Sequence, residues 1–287
     1  MYLVAGVSGK TGAAAAADLL EKGQPVRVLV RSEDKGRYWR EKGAEVAVAS
    51  LDDAGGLTRA LAGVKGAYLL VPPDLTSTDF MARGDRLLGV MTEALGSARV
   101  PHVVFLSSIG AQHPAGTGPV VILHEGEKRL GSLRGTHATF VRAAYFMENL
   151  GALVPLARSQ GILPCLFDPA RRISMIATAD IGRTAAQALL EPPARNEIIE
   201  LDALPESSYA DAAGILSKLL GRPVQAVPVP AEGAISTLVQ SGFSAQMAGL
   251  FKEMAHGIDT GSMRFEAGGA RHVRGPTTLE SVLAKLV

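Results

Sequence analysis

Residues 2–31 read YLVAGVSGKTGAAAAADLLEKGQPVRVLVR. Within them Gly6, Gly9 and Gly12 separate a short apolar run from an alanine-rich one. Glycines at that spacing suit a dinucleotide pyrophosphate. The first permits the tight turn, the second lets backbone approach the phosphates, and the third lets helix and strand pack closely. Amides at the start of the following helix carry partial positive charge toward the anion. Gly6, Ser8, Gly9, Lys10, Thr11 and Gly12 are therefore cofactor-contact candidates. A nucleoside triphosphate loop is excluded, because it needs a glycine where Val4 stands.

Arg31 follows the second apolar run, Val26 to Val30. An acidic side chain there holds a ribose 2′-hydroxyl, whereas a cation holds a 2′-phosphate. Arg31, supported by Lys35, Arg37 and Lys10, predicts NADP(H). Glu33 and Asp34 lie past that position and face solvent. The plain alternative for Arg31 is a solvated strand end.

Three later strand ends carry further candidates. Asp52 follows the third strand, where it either meets the adenine side or caps the next helix. Val71 and Pro72 close the fourth, with backbone set against the cofactor. Ser107 and Ser108 end the fifth, as paired hydroxyls able to hold a nicotinamide or a substrate carbonyl, or to bond local backbone.

Strand-like and helical runs alternate through these positions. Strands are expected at 2–5, 26–30, 45–50, 66–71, 102–107 and 138–142, with helices between them. Strands apolar on both faces, linked by helices, form a parallel sheet covered on each side. The expected fold class is α/β, a doubly wound Rossmann parallel sheet with a smaller discontinuous C-terminal α/β lobe. Residues 1–150, with 171–201 returning to them, form the dinucleotide-binding domain. Residues 151–170 and 202–287 form the smaller, substrate-side lobe, with a loop-rich tail; within 171–201 Asp180 is expected to cap a helix.

A net charge of +1 over 287 residues gives no case for nucleic acid or an acidic membrane surface. The single cysteine, Cys165, forms neither a disulfide nor a metal cluster, so no metal is expected and a cytoplasmic setting is the default. The chain starts directly on a strand, which leaves no room for a signal peptide, and apolar runs such as 66–73 are too short to span a bilayer.

The chain resembles the NmrA-like branch of the atypical short-chain dehydrogenase/reductases. The resembling pieces are Gly6-x-x-Gly9-x-x-Gly12, residues 26–31, residues 66–73, Ser107 to Ala111, and Arg142 to Asn149. Asp180 to Gly182, residues 219–224 and residues 275–280 follow in the same order. The resemblance implies NADP(H) binding and either of two roles. One is reduction of a small electron acceptor such as a quinone or azo compound. The other is catalytically weak NADP(H) sensing through a regulatory protein partner; a homodimer is a further expectation.

By the same resemblance Ser108 takes the superfamily's serine position. His124 and Lys128 have the spacing of its Tyr-x-x-x-Lys pair, with histidine in place of tyrosine. A solvated helix face is their other reading, and His124 with Glu127 also fits a His-x-x-Glu pattern of the branch. Tyr145, Phe146 and Asn149 are placed beside the nicotinamide as substrate-side residues. Arg142 is followed by Ala143 where the pattern has proline.

Overall fold

The structure is a computed structural model describing residues 1–266 and 268–287. Its first half runs β1 (Tyr2–Val4), α1 (Lys10–Glu21), β2 (Val26–Val30), α2 (Glu33–Glu41), β3 (Glu45–Val48), α3 (Ala54–Leu61), β4 (Gly66–Leu69), α4 (Phe80–Ser97), β5 (His102–Ser108), α5 (Val121–Gly131) and β6 (His137–Ala143). The second half runs β7 (Tyr145–Phe146), α6 (Val154–Gln160), β8 (Ile162–Cys165), β9 (Ile173–Ile176), α7 (Thr178–Leu190), β10 (Glu197–Ser207), α8 (Tyr209–Leu220), β11 (Gln225–Pro228), α9 (Ala234–Gln240), α10 (Ala245–Thr260), β12 (Arg271–Arg274) and α11 (Leu279–Leu283).

The large sheet has the order β3-β2-β1-β4-β5-β6-β10-β9-β7, with β12 also on β10. Its described pairs are parallel except β9 with β10. β1 and β4 are buried along their whole length, as strands covered on both faces must be. One face carries α1 and α7 over Val4, Val28, Tyr68 and Val104. The other carries α3, α4 and α5 over Leu3, Leu69, Val103 and Phe105. This is the doubly wound α/β arrangement expected, with the strand order reversing between β1 and β4.

Two helices approach backbone so closely that only glycine fits. At Gly12 a Cβ would lie 2.5 Å from the carbonyl oxygens of Ala5 and Gly6, so α1 packs tightly against the end of β1. At Gly182 a Cβ would lie 2.7 Å from the Thr11 carbonyl oxygen, so α7 packs tightly against α1.

Away from the large sheet, β8 and β11 pair with each other in parallel. α8 beside them starts with a reciprocal Ser208–Asp211 cap and ends at Gly221, φ 64°. Two local expectations change. Asp180 does not cap α7, whose cap position is Ala177; it is buried in the first turn and accepts from Thr277 N and Oγ1, both at 3.0 Å. The tail also contains a strand, β12, that joins the large sheet. Its four residues, Arg-His-Val-Arg, lack the apolar run that announces a strand.

Candidate functional site

The carboxyl ends of β1 to β5 open onto a cleft of about 960 Å³. Gly6 makes its first turn, with φ 70° and its carbonyl accepting from Gly9 N at 2.9 Å. Ser8, Gly9 and Lys10 are exposed beyond it. The N-cap of α1 is Gly9, so no side chain caps the helix, and no acidic residue lies in its first turn. α8 and α10, in contrast, close their first amides with Ser208 and Ser244. α2, α4, α5 and α7 likewise start without a side-chain cap, so the open start of α1 suits an anion without marking one by itself.

Arg31 lines the cleft where β2 ends, exposed and in no ion pair among the described residues. Asp52 lines the cleft, while Asp53 does the capping, accepting from Gly56 N at 2.9 Å. Val71 and Pro72 form the wall after β4. Lys35 is not brought to the site. It is exposed in the first turn of α2 and is not among the residues lining the cleft.

Ser107 and Ser108 both line the cleft. Ser107 Oγ donates to Glu127 Oε1 at 2.5 Å, and Ser108 Oγ to the Ile109 carbonyl at 3.0 Å. His124 and Lys128 are not brought to them. α5 starts at Val121, and it is Val120, Ile122 and Leu123 that face the cleft. His124 and Lys128 line a second recess of about 410 Å³ with Glu127, Arg142, Glu197 and Glu266. The His124 ring donates from Nδ1 to the Ala111 carbonyl at 2.8 Å.

Glu127 is the residue of α5 that couples the two spaces. Arg142, 4% exposed, grips it through Nε at 2.9 Å and Nη2 at 2.7 Å, and pairs with Glu266 through Nη1. Burial opposes the charge on Arg142, but the Glu127 and Glu266 carboxylates outweigh it and raise the pKa. The sequence pointed to Glu127 only through a pattern shared with His124. Arg142 and Glu266 lie 124 positions apart, and no spacing connects them.

Of the substrate-side residues, Phe146 and Asn149 line the cleft. Tyr145, the alternate residue of β7, points the other way, and its hydroxyl lies 2.8 Å from that of Tyr209. Burial raises its pKa. Glu148 also lines the cleft, but its carboxylate is engaged by Thr178, through N at 3.0 Å and through Oγ1. The far wall comes from Leu75, Phe80, Met247 and Phe251. Two bonds strap α10 across to it: Ser244 N to the Leu75 carbonyl at 2.9 Å, and Phe80 N to Gln246 Oε1 at 2.6 Å. Cys165 is buried elsewhere, and burial pushes its thiol up to about 12.

The titratable side chains lining the cleft are Lys10, Arg31, Asp52, Asp74, Arg83 and Glu148. Among the described residues the lining includes no histidine, tyrosine or cysteine. No described helix is long and apolar enough to cross a membrane.

The NmrA-like family model matches residues 2–280. The chain is 29% identical over 259 residues to an NAD(P)H azoreductase of Xenophilus azovorans, covering 88% of this chain and 86% of that one. It is 27% identical over 262 residues to a (4-alkanoyl-5-oxo-2,5-dihydrofuran-3-yl)methyl phosphate reductase of Streptomyces griseus, covering 91% and 88%. In fold it is similar to an NADPH-dependent quinone oxidoreductase of Escherichia coli complexed with NADPH, with TM-score 0.82, 22% identity, and 100% and 99% of the two chains covered. A triphenylmethane reductase of Citrobacter sp. complexed with NADP(H) superposes with TM-score 0.82 at 20% identity, covering 100% of both chains. The chain belongs to the NmrA-like family.

Proposed function

We propose that this member of the NmrA-like family is an NADPH-dependent reductase of a small conjugated acceptor, such as a quinone. The observation that carries the reading is the contrast between the two walls of the cleft. One wall offers an uncapped helix start, the glycine turn and the free Arg31 guanidinium, which suit a pyrophosphate and a 2′-phosphate. The other is built on Leu75, Phe80, Met247 and Phe251, with Asp74 and Arg83 paired beside them, and brings no histidine, tyrosine or cysteine among the described residues.

That second feature selects the acceptor. NADPH, when bound, supplies a hydride. An isolated ketone taking hydride becomes an alkoxide, which needs a nearby acid. A quinone becomes a phenolate-like anion whose conjugate acid has a pKa of about 10, the tyrosine value, so solvent water can supply the balancing proton.

In this reading Gly6, Ser8, Gly9, Lys10, Thr11 and Gly12 shape the pyrophosphate site, Arg31 takes the 2′-phosphate and Asp52 faces the adenosine. Val71, Pro72, Ser107 and Ser108 flank the inner half of the cofactor, with Phe146 and Asn149 beside the acceptor. Residues 1–150 with 171–201 carry the cofactor, and the remainder closes the acceptor side, chiefly through α10. The names of the two relatives described above, an azoreductase and a phosphate reductase, support turnover over sensing. Mixing the protein with NADPH and a panel of quinones and following NADPH absorbance tests this. Acceptor-dependent oxidation is expected, and oxidation no faster than without protein contradicts it.

A further inference from the structure

Ser107 has a property that hydride delivery to an acceptor does not require. It is the penultimate residue of β5, only 2% exposed, and it forms part of the cleft floor. A serine hydroxyl has one hydrogen. Here that hydrogen is committed to Glu127 Oε1, 2.5 Å away. Glu127 cannot donate in return, because Arg142 occupies both of its oxygens, Oε1 from Nε and Oε2 from Nη2. A carboxylate clamped by a buried guanidinium is ionised and accepts only. Arg142 is held from its other side by Glu266, whose own N–H donates to Glu200 Oε1 at 2.9 Å. A group that reaches Ser107 Oγ from the cleft therefore meets lone pairs and no hydrogen.

We propose that Glu127 is a positioning residue that makes Ser107 an obligatory hydrogen-bond acceptor, matched to the carboxamide amine of a bound nicotinamide. The inference rests on the NADPH reading above and refines it. The two serines have different roles: Ser107 selects an N–H donor, while Ser108 is turned to the Ile109 carbonyl. It also removes Ser107 as a proton donor to the acceptor, in keeping with a proton drawn from solvent.

Analogue binding tests the assignment without relying on turnover. The 3-acetylpyridine analogue of NADPH replaces the amine with a methyl group, whereas the thionicotinamide analogue keeps the amine. Calorimetric titration of the unaltered protein is expected to show the acetyl analogue binding about tenfold more weakly than NADPH, the value of one neutral hydrogen bond. The thio analogue should bind like NADPH. In Ser107→Ala the gap closes. In Glu127→Ala the hydroxyl loses its acceptor, its hydrogen is free to turn to the cleft, and the gap closes or inverts.

Circular dichroism checks that each variant is folded, and Ser107→Ala carries the test alone if Glu127→Ala is not. Equal binding of the acetyl analogue and NADPH by the unaltered protein overturns the inference, as does a gap that persists in the folded variants. No binding of NADPH by the unaltered protein overturns the functional reading instead.

Discussion

The glycine turn and the β5–α5 corner face the same cleft but are built differently. Backbone makes the turn: Gly6 reverses the chain, Gly12 admits α1, and the helix start stays uncapped. At the corner, side chains from β5, α5, β6 and the segment before β12 converge on Arg142. The first arrangement depends on residues within one short stretch and works through main-chain groups. The second depends on charges brought together by the whole fold. A backbone site tolerates change in its side chains but not in its glycines; a charge network behaves in the opposite way.

The largest expected effect breaks the network. Arg142→Leu leaves the Glu127 and Glu266 carboxylates facing a lost cation, the first of them largely buried. Denaturant unfolding should show a loss of about 3–5 kcal/mol, the range for removing one partner of a buried pair. A loss within experimental error would mean the corner is as permissive as a surface.

Next comes the buried end of the same strand. His102 at the start of β5 is shielded from solvent, and burial, with the nearby His137 adding to it, lowers its pKa from 6.5 to about 4. Between those values the unfolded chain takes up a proton that the folded chain refuses. Stability should fall as pH drops through this window and level off below it, by about 3 kcal/mol in all. Thermal melts across the window should show a shallower slope for His102→Asn, and an unchanged slope would remove His102 as its source.

Backbone-site effects follow. Gly12→Ala forces a Cβ to within 2.5 Å of two carbonyl oxygens, so stability should drop by about 1–3 kcal/mol and NADPH binding should weaken with it. Arg31→Asp should leave stability unchanged while shifting preference from NADPH toward NADH by roughly tenfold or more, read from paired titrations. The smallest effect sharpens the contrast. His124→Ala and Lys128→Ala, in the second recess, should leave NADPH-dependent quinone reduction within about twofold of the unaltered protein; a larger loss in kcat would bring that recess into the chemistry.

Legibility from the sequence follows the same division. The sheet was legible because β1, β4 and the middle of β5, Val103 to Leu106, are apolar runs, and the phosphate wall because glycine spacing encodes backbone geometry. Errors arose where orientation decides. His124 and Lys128 have the right separation, but α5 presents Val120, Ile122 and Leu123 to the cleft instead. Tyr145 and Phe146 are adjacent on β7, so only one of them can face inward. Lys35 is exposed on α2, outside the cleft lining. The apolar wall was legible only as a region, 202–287; that Met247 and Phe251 of α10 are the residues that reach the cleft was not. Each of these outcomes is set by tertiary packing, which local spacing does not carry.

Calorimetric titration of the unaltered protein with NADPH and NADH in parallel is the most direct measurement of the whole account. Saturable binding of NADPH, roughly tenfold or more tighter than NADH, is the predicted result. No heat with NADPH, or equal affinity for the two, contradicts it.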